Sequence, residues 1–141
     1  HAGFYLRQAL MSYVQSKGYA VVDLGPGDTK SVDYPDFAVK LAMALQEDTK
    51  GRGIAICGSG IGISIAVNRF DWIRAALVSE VTSARLCREH NDANVLALGQ
   101  RLTGIAVALD CVDTFMAAAF KGGRHQRRVD KLSEISKSDG I

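Results

Sequence analysis

Four short apolar runs recur along this chain: AVVDL at 20–24, GIAIC at 53–57, RAALV at 74–78 and NVLAL at 94–98. The stretches around them carry helical periodicity instead. That alternation constrains the fold more than any other feature, because strands that alternate with helices make a parallel sheet covered on both faces. Phe4, Leu6, Leu10, Met11 and Val14 recur at helical spacing, and Gly18 stands where a helix stop belongs. A polar loop, GPGDTKSVD, follows the first apolar run. A second helix is expected from about Tyr34-Pro35, with proline in its first turn and Phe37, Leu41, Ala44 and Leu45 on its buried face. VTSARLCREHN reads as helical, a long helix runs from Gly104 to Phe120, and a basic one starts around Gly123.

The expected architecture is a three-layer α/β/α domain with a parallel sheet, spanning residues 1–141 as one unit. A doubly wound sheet leads with a central strand, whereas this sequence opens on a helix without an initiator methionine. A further strand is therefore expected ahead of His1. In such folds ligands sit beyond the carboxyl ends of the strands. Cys57 lies at one such end, and His90 and Asn91 lie on the loop that leads into another strand.

Composition excludes several classes of function. Apolar residues make up 48% and charged residues 23%, which is globular rather than disordered. A net charge of +2 is too small to argue for nucleic acid. No apolar run approaches the ~18 residues of a membrane span, and the start shows no signal-peptide pattern. The cysteines, Cys57, Cys87 and Cys111, are odd in number and widely spaced. That usage fits a reduced, cytoplasmic protein better than a disulfide scaffold.

The chemistry concentrates in ICGSGIGIS, residues 56–64, where a cysteine ends an apolar run and three glycines follow within five residues. Gly58, Gly60 and Gly62 let backbone approach a ligand, and their N–H groups opening a helix form an anion nest. A dinucleotide fingerprint would need G-x-G-x-x-G with an acidic residue ~20 positions on. The spacing here is G-x-G-x-G, so that reading is weak. A cysteine phosphatase needs an arginine after five intervening residues, and Ile63 occupies that position ahead of Ser64. Without the guanidinium a phosphoryl group has no bidentate partner. A purely structural tight turn stays open as the bland reading of the loop, and a thiol can also move protons. Backbone donors beside a cysteine favour its thiolate and stabilise an enediolate oxyanion formed next to it. That couples a base to an oxyanion hole, the pair an aldose–ketose isomerase requires.

Two further stretches bear on this. REHNDANV supplies His90, Asn91, Asp92 and Asn94. A histidine at a helix end is commonly a surface or capping residue. Paired with Asn91 before a strand, it also suits proton shuttling and the binding of sugar hydroxyls. KGGRHQRRVDK concentrates Lys121, Arg124, Arg127, Arg128 and Lys131. Arg124 and Arg128 are one helical turn apart, placed to share one phosphate. The bland reading is a solvated basic face, and nucleic-acid binding lacks its stacking aromatics.

SVDYPDFA, ICGSGIGISIAVNR, IRAAL, HNDANVLALG and GGRHQRRVDK, taken in order, resemble the type B ribose-5-phosphate isomerases and the related galactose- and allose-phosphate isomerases. The resemblance runs from His1 to about Ile135. It implies a Rossmann-like fold, no metal and no cofactor, a sugar-phosphate substrate, and active sites shared between the subunits of a homodimer, or of a tetramer built from two. Cys57 matches the proton acceptor. Gly58, Ser59, Gly60, Ile61 and Gly62 match the loop whose amides hold the enediolate. His90 matches the acid that opens the furanose ring, and Asn91 a contact to sugar hydroxyls. Arg101, Arg124 and Arg128 match the phosphate grip, His1 a ligand-binding histidine, and Tyr34 a pocket wall. The family's first strand ends in an Asp-His pair, of which His1 is the second member. A cysteine at 57 excludes the subgroup that uses a glutamate base. Ribose 5-phosphate is the expected substrate. A six-carbon aldose phosphate is the nearest competitor, and a non-catalytic phosphosugar-binding module would have no need of Cys57 and His90 together.

Overall fold

The computed structural model describes residues 4–25 and 33–135. In chain order the elements are α1 (Phe4–Ser16), α2 (Tyr34–Glu47), β1 (Gly53–Cys57), α3 (Ile61–Val67), β2 (Ala75–Leu77), α4 (Val81–Glu89), β3 (Val95–Gly99), α5 (Ile105–Ala117) and α6 (Arg124–Glu134). The strands form a parallel sheet in the order β1-β3-β2. Gly53 pairs with Val95 and Cys57 with Gly99 on one side of β3, and Ala75 pairs with Val95 and Leu77 with Ala97 on the other.

The central strand explains the layers. Side chains alternate along a strand, and all five residues of β3 are buried. Val95 and Ala97 face one way, packing with Ala38, Ala42 and Leu45 of α2 and with Ile63 and Val67 of α3. Leu96 and Leu98 face the other way, against Leu6, Leu10 and Val14 of α1, Ala84 of α4, and Val112 and Phe115 of α5. Each large side chain buried this way contributes about 1.5–3 kcal/mol, several times any difference in helix propensity. Burial therefore sets which helix lies on which face. The result is the expected α/β/α arrangement with a Rossmann-like parallel sheet.

Residues 20–24, expected as a strand, have no ladder partner among the described residues, although Val21 packs against the core and Arg7 of α1 pairs with Asp23. An apolar run becomes a strand only when a neighbour accepts its backbone hydrogen bonds. Among the described residues β1 has β3 on one side only. Beyond its other edge lies a cavity of about 1080 Å³, lined by β1, residues 19–25, α1 and α2. Phe37, Leu41, Ala44 and Leu45 of α2 all face this cavity, and the first three are only half-buried. The strand expected ahead of His1, and His1 itself, lie outside the described residues.

Candidate active site

Cys57, at the carboxyl end of β1, lines this cavity. The N–H of Gln100 donates to the carbonyl of Cys57 at 3.0 Å and that of Arg101 to the carbonyl of Gly58 at 2.9 Å, so the ladder continues past the strand into the loop. Gly60 sits at φ +79°, where a side chain is strained, and serves as the N-cap of α3. A Cβ there would also lie 2.6 Å from Leu77 and 2.8 Å from the backbone of Leu98. Its N–H donates to Cys57 Sγ at 3.2 Å, which orients the sulfur within the loop. The N–H of Ile61 donates to the hydroxyl of Ser59 at 3.1 Å.

Tyr34, the first residue of α2, packs its ring so closely on Gly62 that a Cβ there would lie 2.6 Å from the ring. Gly99 has the same role on the opposite side: a Cβ would approach the carbonyl oxygen of Ser59 to 2.3 Å. Sequence reasoning missed Gly99. Its only signal was a glycine ending a strand directly beside the one that carries the thiol.

Of the residues expected at the site, Cys57, Gly58, Ser59, Gly62, Tyr34 and Arg101 line one cavity. Gly60 lies buried beneath the loop, and Ile61 is about half exposed without lining the cavity. His90, Asn91, Arg124 and Arg128 do not line it either. They gather at a second place, where α4 ends and α6 begins. His90 caps the C-terminus of α4, its N–H donating to Leu86 at 2.9 Å. Its ring stacks on that of His125, with centroids 4.3 Å apart and planes 12° from parallel. The N–H of Lys121 donates to the carbonyl of Glu89 at 3.0 Å, joining the start of the glycine hinge to α4. Gly122 and Gly123 both have positive φ, and Arg124 and Arg128 then emerge exposed on α6. His1 lies outside the described residues.

The electrostatics separate the titratable groups. Burial, then His90, Arg124, Arg128 and Lys121, hold the His125 imidazole below its ordinary value. Burial pushes the Cys87 thiol up to about 11 and raises Cys111 as well, whereas Cys57 stands half-buried at the cavity. All three thiols are free. Among the described residues no group of three or more His, Cys, Asp or Glu is placed to hold a metal ion, and no helix is long and apolar enough to cross a membrane.

Comparison with known proteins gives this arrangement a family. The chain is 43% identical to ribose-5-phosphate isomerase B of Escherichia coli (strain K12), over 96% of this chain and 91% of that one. The solved structure of the Clostridium thermocellum ribose-5-phosphate isomerase B superposes with a TM-score of 0.94 at 50% identity, covering 97% of this chain and 93% of the other. The Mycoplasma genitalium ribose-5-phosphate isomerase B, crystallised with bound ribulose-5-phosphate, gives 0.94 at 39% identity, with 98% and 92% covered. Residues 1–132 match the pattern of one family along nearly their whole length, and the chain belongs to that family, described as Ribose/Galactose Isomerase.

Proposed function

We propose that this chain interconverts D-ribose 5-phosphate and D-ribulose 5-phosphate, the aldose–ketose step of the non-oxidative pentose phosphate route. The observation that carries this reading is Cys57 at the end of β1, held by the Gly60 N–H in a cavity that Ser59, Gly62, Tyr34 and Arg101 also line. The relative crystallised with ribulose-5-phosphate shares that fold over 98% of this chain.

The residues divide the work as follows. His90 passes a proton to the furanose ring oxygen as the C1–O bond breaks, while the C1 hydroxyl loses its proton to solvent water and becomes the aldehyde. Cys57, as thiolate, takes the proton from C2. The electron pair left behind forms the enediolate, and its oxyanion faces the amides of the loop from Gly58 to Gly62. As the O2 proton passes to O1, the Cys57 thiol, whose hydrogen exchanges with solvent, protonates C1 and leaves the carbonyl at C2. Asn91 contacts sugar hydroxyls, Tyr34 forms a pocket wall, and Arg101, Arg124, Arg128 and His1 hold the phosphate end.

Within one chain the thiol and the histidine stand on separate sites, which supports a homodimer whose pockets each draw on both subunits. Leu102, just before α5, and Ile105 and Val107 in its first turn are 68%, 53% and 41% exposed, apolar surface suited to such an interface. A free thiol base suits a reducing compartment, and the cytoplasm is the location proposed. The domain is read as a single unit over 1–141.

The test is turnover on a panel of five- and six-carbon aldose phosphates in deuterium oxide. Ribose 5-phosphate should turn over with solvent deuterium appearing in the product. Cys57→Ala should lower turnover at least ~100-fold, with substrate-analogue binding changed only a few-fold, because the thiol acts mainly in the transition state. Deuterium-free product, or a variant retaining a tenth of the activity, would overturn the reading.

A further inference from the structure

The turn that carries His90 and Asn91 is closed by a buried ion. Arg88, in the last turn of α4, is only 6% exposed, which is unusual for an arginine. Its Nη1 donates to Asp92 Oδ1 at 2.8 Å and to the carbonyl of Ala93 at 2.6 Å. The backbone closes over the same residues: Asp92 N–H donates to the Arg88 carbonyl at 3.2 Å, and Ala93 N–H to that of Cys87 at 2.9 Å. His90 and Asn91 are the middle of this loop.

A second arginine holds the turn from outside. Arg74, immediately before β2, donates from Nε to the Asp92 carbonyl at 2.9 Å, and its Nη2 stands 3.5 Å from Asp92 Oδ2. Asn94 accepts from the Arg74 N–H at 2.7 Å and donates to the Trp72 carbonyl at 2.9 Å. Asp92 itself adopts φ +48°, the one described non-glycine residue with positive φ. A strained backbone beside a buried, charge-paired guanidinium is an arrangement that conformational stability alone does not require. A packed apolar side chain at 88 would serve the core as well.

We propose that Arg88 and Asp92 are positioning residues for ring opening: their clamp sets the backbone from Glu89 to Ala93 so that the His90 ring meets the ring oxygen of the aldose. This rests on the reading of His90 as the ring-opening acid. The clamp touches no substrate and acts through His90 and Asn91.

Two reactions separate positioning from folding. Turnover at saturating ribose 5-phosphate requires ring opening. Exchange of the C1 hydrogens of ribulose 5-phosphate with deuterium oxide requires Cys57 and the enediolate but no ring. Arg88→Met, which keeps much of the side-chain volume, should lower ribose 5-phosphate turnover about tenfold or more and leave exchange within about threefold. Arg88→Lys should recover part of the loss. Asp92→Asn removes the charge yet tolerates positive φ, so it tests the clamp should Arg88→Met fail to fold. His90→Asn, run beside them, should show the same imbalance more strongly. Equal losses of turnover and exchange, or no loss, in variants that fold would overturn the clamp. An unchanged ratio in His90→Asn would instead defeat the reading of His90, and the clamp proposal would fall with it.

Discussion

Three cysteines of one chain occupy three different environments, and the difference decides their chemistry. Cys87 lies in the core between α4 and the sheet, its thiol donating to the Ala84 carbonyl at 3.2 Å and pushed by burial up to about 11. Cys111 is fully buried on α5. Only Cys57 opens to a cavity. A thiol reagent at neutral pH should therefore modify one cysteine per chain rapidly, with the other two reacting only on unfolding. The fast phase should vanish in Cys57→Ala. A second fast thiol in the folded protein would contradict the burial described here. At this scale the sequence was partly legible. Cys57 announced itself by ending an apolar run before glycines, whereas Arg88 looked like one more charge in REHNDANV. Its partners, Asp92 and Ala93, come within reach only once α4 has turned back toward β3.

The elements follow their local signals closely where packing and pattern agree. Pro35 falls in the first turn of α2, and the glycine hinge at 122–123 precedes α6, both as the sequence indicates. The start of α4 is less expected, because its N-cap is a glutamate. Glu80 accepts from the N–H groups of Thr82 at 2.7 Å and Ser83 at 2.6 Å. Hydrogen bonding from Ser83 first, then from Thr82, holds its carboxyl below the ordinary 4.5. The folded-state value is thus lower than the unfolded one. Stability from this cap is fully present above the unfolded value and is lost as pH falls through the folded one. Glu80→Gln should lower the Tm by a few degrees near pH 7, and the gap to wild type should close as the pH drops below the carboxylate range. A gap that stays constant down to acid pH would show that the charge is irrelevant to the cap. Residues 20–24 show the opposite limit: an apolar run reads as a strand, but pairing is not a local property.

At the scale of the whole molecule, the thiol site and the histidine site face different surroundings in one chain. If two chains complete each other's pockets, mixing inactive Cys57→Ala subunits with inactive His90→Asn subunits should restore activity. In a random mixture half of the dimers are mixed, and each of these has one pocket with both defects and one with neither. The recovered turnover should be about a quarter of wild type. A mixture as inactive as its parents, after subunit exchange has been demonstrated, would mean that His90 serves its own chain's Cys57. By itself the sequence determined the alternation of helices and strands, the parallel sheet and a set of candidate site residues, because periodicity, turn residues and short motifs are local. Tertiary structure alone decided that Gly62 must be bare for Tyr34, that Arg88 clamps the His90 turn, and that the candidate residues fall into two groups. Each of these depends on contacts between segments far apart in the chain, whose register and distance are set by burial on the two faces of β3.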